Sequence, residues 1–301
     1  MTKLILSCFA AYLISGLAVA QENWRVIEVD ASAFPNEIVK EQRRRSPGGI
    51  PDGRVATFHG GGDITEAWYS DPTDRYGHAI LGDGIEAGTL NIATQGGKKL
   101  SLKLSKDQVF EDLYPRLADL DNDGTVEVVT LRSSADEGGS VAIFGLQNGR
   151  LIQKAATPFI GRSYRWLNVA GIASFRGKAS KEIAFVETPH IGGTLYFYSY
   201  DGQNLRKKAQ LYGFSNHFIG STEMRLSATV DVNGDDAPDL AVPSANRRAL
   251  RIVSLAGGHL RELANIRMPS RISKAIAVSG SGHSTSFVVG LDNGKVLKVS
   301  R

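Results

Sequence analysis

The sequence lacks most of the features by which a catalyst declares itself locally. It has no G-x-S-x-G elbow, no H-E-x-x-H, no Walker loop and no Rossmann glycine fingerprint ahead of a helix. Its one cysteine, Cys8, has no partner, so no disulfide can staple the fold. No stretch carries a convincing helical period, which sets aside helical bundles and α/β folds. The longest apolar run, residues 4–17, is about 14 residues, whereas a helix needs ~20 to cross a bilayer. Charge is nearly balanced, with no excess of one sign large enough to argue for nucleic acid.

What is present begins with that short run. Lys3 precedes it and the small-x-small sequence Ala18-Val19-Ala20 ends it, the pattern of a cleavable signal peptide with Gln21 as the mature start. The expectation is export to the periplasm or the medium, with no membrane-spanning segment in the mature chain. Cys8 lies inside the run, not at its end, which argues against lipid attachment. Cleavage removes Cys8 and Lys3 and leaves 34 basic against 31 acidic residues. Some 280 residues can bury a core without disulfides. A basic run, Lys40-Glu41-Gln42-Arg43-Arg44-Arg45, leads into a Pro/Gly stretch at 46–53 and reads as a solvated linker. The division expected is a signal peptide at 1–20, an N-terminal strand with linker at 21–53, and the main fold at 54–301.

Turn signals organise the remainder. Alternating apolar runs flank Gln95-Gly96-Gly97, Gln147-Asn148-Gly149, Asp201-Gly202-Gln203, Ala256-Gly257-Gly258 and Asp292-Asn293-Gly294, giving five hairpins. The first four turns lie 52, 53 and 56 residues apart, one four-stranded unit per repeat. The fold expected is all-β, a β-propeller of about five four-stranded blades. Second strands are expected at residues 127–130, 182–185 and 239–242, with His78 to Leu81 and Ser286 to Val289 as their equivalents in the first and last repeats. The last turn comes only 36 residues after its predecessor and the sequence stops after a third strand. An N-terminal strand, residues 24–29 or 54–59, is expected to complete that blade and close the ring, which also removes exposed sheet edges.

The most specific chemistry lies ahead of two second strands. One loop reads Asp119-Leu120-Asp121-Asn122-Asp123-Gly124-Thr125-Val126-Glu127, the other Asp231-Val232-Asn233-Gly234-Asp235-Asp236-Ala237-Pro238-Asp239. Oxygen side chains stand at positions 1, 3, 5 and 9, and the position 7 carbonyls of Thr125 and Ala237 add a further ligand. Hard oxygen donors in a flexible loop favour calcium over zinc or copper. An EF-hand is excluded because position 12 holds Thr130 or Val242 in place of a bidentate Glu.

Asp-x-Asp/Asn-x-Asp-Gly-x-x-Asp/Glu running into a strand at blade spacing resembles the FG-GAP or VCBS repeats of integrin α-chain propellers and exported bacterial proteins. The resemblance implies propeller blades and calcium as a mainly structural ion. It does not extend to Ser174-Phe175-Arg176-Gly177-Lys178 in the third repeat or Ser70-Asp71-Pro72-Thr73-Asp74 in the first. Asp236 stands where Gly is usual, so weaker binding is expected in the second loop.

Other residues mark candidate surfaces. Glu187 and His190, separated by Thr188-Pro189, offer an acid and an imidazole, while Glu66, Trp68, Tyr69, Arg75, Tyr76 and His78 form an aromatic and charged group. Trp166 is a further aromatic candidate, with packing between blades as its plainer role. The function expected is a monomeric, non-enzymatic binding or scaffold module of the cell envelope with a protein or glycan partner. The alternative is a propeller hydrolase or lyase acting on a carbohydrate or lactone through Glu187, His190 or Glu66. Convergence of those groups on one pocket would favour the enzyme.

Overall fold

The computed structural model describes residues 24–35 and 43–301. The signal peptide read over 1–20, the start at Gln21 and the beginning of the basic run, Lys40 to Gln42, lie outside the described residues.

The first strand, β1 (Arg25–Val29), pairs with the last, so it is described with blade five. Blade one contains β2 (Ala56–Thr57), β3 (Ile64–Thr73), β4 (Glu86–Thr94) and β5 (Lys99–Lys103). In blade two the inner strand is split into β6 (Gln108–Phe110) and β7 (Arg116–Ala118), both pairing with β8 (Glu127–Ser134); β9 (Gly138–Gln147) and β10 (Arg150–Ala156) follow. Blade three is β11 (Leu167–Ala173), β12 (Glu182–Glu187), β13 (Thr194–Tyr200) and β14 (Leu205–Tyr212). Blade four is β15 (Ala228–Val230), β16 (Asp239–Pro243), β17 (Ala249–Ser254) and β18 (Arg261–Arg267). Blade five is β19 (Ala277–Ser279), β20 (Ser286–Gly290), β21 (Val296–Ser300) and then β1 at the outer edge. All described strand pairs are antiparallel, and the architecture is a β-propeller of five blades, the first two joined into one sheet where β4 meets β6 at Ala87 and Phe110 and the last completed by the N-terminal strand.

Burial explains the sequence patterns. The second strands β8, β12 and β16 are buried along nearly their whole length because neighbouring blades cover both faces. Outer strands such as β5 and β14 alternate or stay exposed. The apolar clusters therefore sit between blades: one spans blades one to three, one joins three to four, and one joins four to five. All five expected hairpins are present, and in the β9–β10 turn Asn148 and Gly149 adopt φ of 51° and 72°, the left-handed backbone that a primed turn requires.

Two expectations need correction. Residues 78–81 are not the second strand of blade one; β3 is, and His78 to Leu81 belong to the β3–β4 connection. Ile80 and Leu81 are buried as loop residues packed into the core, so apolar character there reports burial without pairing. The stretch Ser70 to Asp74, aligned with the metal loops by sequence, consequently falls largely inside β3. The Pro/Gly segment also departs from a free linker. Ser46 donates to the Gly53 carbonyl, Arg54 to the Leu113 carbonyl, Arg44 pairs with Glu66 at 2.8 Å, and Ile50 is buried in the core.

Strand β1 covers the edge of β21, and Trp24 packs at 5.8 Å from Phe287 while the Arg301 guanidinium lies over its ring. Deleting residues 24–29 from the mature chain is expected to lower the unfolding midpoint and to produce oligomers by exposing that edge. Calorimetry and size-exclusion chromatography check this, and an unchanged midpoint with a monomeric profile would show that β1 does not hold the last blade.

Candidate functional site

In an antiparallel blade the connections between strands one and two share an end with those between strands three and four. The acidic loops are the one-to-two connections of blades two and four. In blade two the ligand atoms of Asp119, Asp121 and Glu127 lie within 4.8 Å of one another. The local fold is built by the same side chains: the Asp119 carboxylate accepts from the amides of Asp123 and Gly124, and Glu127 Oε2 accepts from the Leu120 amide at 2.9 Å. Positive φ at Asn122 and Gly124 makes this tight winding possible. Asp123 stands aside from the three, with Oδ1 accepting from the Thr125 amide and hydroxyl. Burial, then the Asp123 charge, raises the Asp121 carboxyl, whose Oδ1 is buried without a hydrogen-bond partner. Burial also raises Glu127, against the Leu120 amide and Lys154, whose Nζ is 3.3 Å from Oε1.

The blade four loop follows the same register. Asp231 accepts from the amides of Asn233, Gly234 and Asp236, and Asp239 Oδ2 from the Val232 amide at 3.0 Å. Asn233 donates to Asp235, and Asp235 Oδ1 accepts from the Ala237 amide. Asp236 adopts φ 65°, the left-handed region that its Cβ makes costly. Asp239 is 0% exposed, its Oδ1 has no partner, and burial pushes its pKa up to about 6.

Blade three keeps the buried carboxylate but changes the cation. Glu182 occupies the place of Glu127 and Asp239 and is 0% exposed, and the Arg176 guanidinium from the preceding loop pairs with it. Phe175, Leu120 and Val232 hold matching positions and are all fully buried. The basic side chain in the degenerate loop is thus an internal counter-charge.

Of the other candidates, Tyr76, His78, Trp166 and His190 are linked through Glu111 and ring contacts, whereas Glu66 and Glu187 are held by other partners. Glu66 pairs with Arg44 on β3. Glu187 is raised by burial and answers to Lys207, Tyr196 and Tyr198, whereas His190 meets His217 at 3.0 Å and stacks on Trp166. Trp68 and Tyr69 are buried, the latter against Phe110, and Arg75 donates to the Gln108 carbonyl. Sequence reasoning missed Glu111 and Asp112, which occupy the break between β6 and β7 and are fully buried, and Glu86 at the start of β4. Glu111 holds His78 Nδ1 and accepts from Ser133, and its backbone carbonyl accepts from Trp166 Nε1; Asp112 holds Arg116 and Tyr69. Burial, reinforced by Glu111, pushes Glu86 up to about 9. His217 was missed too, because it lies 27 residues beyond its partner.

No family model and no curated protein matches this chain. Among solved structures it is similar to an exotype rhamnogalacturonan lyase, YesX, at 12% identity and TM-score 0.44, covering 83% of this chain and 56% of that one. A Bacillus licheniformis rhamnogalacturonan lyase gives 12% and 0.48, covering 83% and 49%, and the WD40 domain of Toxoplasma gondii coronin gives 11% and 0.41, covering 77% and 56%. The chain spans about half the length of these proteins, and the likeness concerns the fold.

Two outcomes are expected. Arg176→Ala leaves Glu182 buried without its counter-charge and should cost on the order of 3 kcal/mol, most of it recovered in Arg176→Met/Glu182→Leu; chemical denaturation compares the three, and a neutral single variant would contradict the counter-charge role. Glu86 binds its proton up to about pH 9 in the folded chain but only to about 4.5 when unfolded, so its contribution to stability falls as pH rises across that window, by about 1 kcal/mol per pH unit. Glu86→Gln should flatten this loss in unfolding curves taken between pH 5 and 8.

Proposed function

We propose that the chain is an exported β-propeller that holds calcium in the loops of blades two and four and presents its opposite end to a protein or glycan partner, without catalysing a reaction. The observation that carries the calcium reading is the fully buried Asp239 carboxylate with an oxygen lacking any partner, in the register of the loop that gathers Asp119, Asp121 and Glu127. A cation supplies what burial removes, and an all-oxygen donor set suits calcium. Asp119, Asp121, Asp123 and Glu127, with the Thr125 carbonyl, are the first ligand set; Asp231, Asn233, Asp235 and Asp239, with the Ala237 carbonyl, are the second. The resemblance of both loops to FG-GAP or VCBS repeats supports a structural ion. Export rests on the pattern of residues 1–20.

Exposure supports a partner face at the end away from the acidic loops. Of seven exposed large apolar residues among the described ones, Tyr164, Ile191, Tyr212 and Ile219 lie at the end away from the acidic loops. Apolar side chains exposed on several loops at one end support an interaction surface there. The separation of Glu66 and Glu187 from His190 favours a binding module over the hydrolase or lyase reading.

Thermal unfolding of the mature chain in calcium and in chelator tests the ion. At a calcium concentration about 100 times its dissociation constant, the blade two site should add about 2.7 kcal/mol, a shift of a few degrees for a chain of this size, and the weaker blade four site less. Asp121→Ala should remove the larger part of that gain and Asp235→Ala a smaller part. A melting temperature indifferent to calcium would sink the calcium reading.

A further inference from the structure

Loops of blades three, four and five enclose a cleft of about 290 Å³ at the end opposite the acidic loops, with His190, His217, Phe218, Ile219, Arg247 and Arg271 on its walls. Its volume is at the small end for ligand sites and suits one sugar-sized group. Its chemistry is one-sided, since the wall carries two guanidinium groups and no carboxylate.

Arg247 is fixed before any ligand arrives. Its φ of 57° places a non-glycine residue in the left-handed region, its Nη1 donates to the Ile272 carbonyl at 2.9 Å, and its guanidinium lies 4.9 Å over the Phe218 ring. Strain of this kind persists only where the surroundings enforce it. Arg271 is exposed on the cleft wall. Asp292, which accepts from Ser270 and the Arg271 amide, offsets one of the two charges. A second cavity, of about 490 Å³, is also lined by basic side chains. There Arg116 is committed to Asp112, Arg225 to Glu223 and Lys181 to the Asp119 carbonyl.

The imidazoles refine the specificity. His217 Nε2 lies 2.8 Å from the Ser221 carbonyl, which can only accept, so Nε2 carries the hydrogen. In the neutral ring Nδ1 then accepts, and His190 Nε2, 3.0 Å away, must donate to it. That leaves His190 Nδ1 as a bare acceptor. Burial lowers His190 to about 4 and His217 to about 3, with Arg247 contributing to both, so the tautomer chain holds at neutral pH. A lone pair on the wall repels a bare oxyanion and suits a hydroxyl donor. Phe218 and the 68% exposed Ile219 add an apolar patch against which the C–H face of a ring can rest.

We propose that this cleft binds an acidic saccharide unit, its carboxylate held by Arg247 and Arg271 and a ring hydroxyl donating to His190 Nδ1. The proposal rests on reading this end as the ligand face and is independent of calcium in the opposite loops. Calorimetric titration of the mature chain with glucuronate, glucose and inorganic phosphate tests it, with calcium-dependent melting recorded on the same samples. Glucuronate should bind, glucose and phosphate each about tenfold more weakly, and Arg271→Gln and His190→Gln should each weaken glucuronate about tenfold without lowering the melting temperature by more than a few degrees. Phosphate binding as tight as glucuronate, glucose binding as tight as glucuronate, or glucuronate affinity unchanged in both variants would overturn it. Glucuronate binding with no calcium shift would leave it standing and remove the calcium reading; a calcium shift without glucuronate binding would overturn this proposal alone.

Discussion

A carboxylate buried at the first residue of the second strand is the constraint around which blades two, three and four are organised. Glu127, Glu182 and Asp239 are all fully buried, and each accepts from a backbone amide of the loop that precedes its strand. That hydrogen bond closes the loop and sets the strand's start. It also places a negative charge where water cannot reach it, and a buried charge must be neutralised or compensated. The three blades differ in how this is met. Glu182 has the Arg176 guanidinium, Glu127 has Lys154 at 3.3 Å against the added repulsion of Asp121, and Asp239 is left with an unpartnered oxygen.

The same loops tie successive blades together. The Asp119 carbonyl accepts from Lys181 of blade three, and the Asp231 carbonyl accepts from the Gly282 amide of blade five. Asp63 of blade one accepts from the Val126 amide, inside the first acidic loop. Holding the loop rigid therefore also fixes the angle between neighbouring sheets, whose apolar faces supply the core. No disulfide contributes, so shape depends on burial between blades and on charge compensation at these loops.

Antiparallel topology then separates the two ends of the molecule. Acidic loops and tight hairpins share one end, while the longer connections that carry His78, His190, His217 and Arg247 share the other. The break in the inner strand of blade two turns Glu111 and Asp112 inward beneath the second end, where they lock His78 and Arg116. Tightly hydrogen-bonded loops at one end and longer, partly apolar loops at the other give the two ends different surfaces.

The repeat period, the five hairpins, the second strands of blades two to five and the two acidic loops were legible in the linear sequence, because each depends on residues within about ten positions of one another. A primed turn needs Asn-Gly or Gly-Gly wherever it sits, and a covered strand needs an apolar run. The missing last strand was legible as well, since an unfilled sheet edge demands a partner. Tertiary structure alone decided which apolar segment of blade one pairs and which merely fills space, as Ile64 to Thr73 and Ile80 to Leu81 show. It alone revealed Arg176 as the counter-charge of Glu182, Glu111 and Asp112 as buried acids, and His190 as the partner of His217 in place of Glu187. Those relations depend on which side of a strand a residue faces and which blade lies beside it, and neither quantity leaves a periodic trace in the chain.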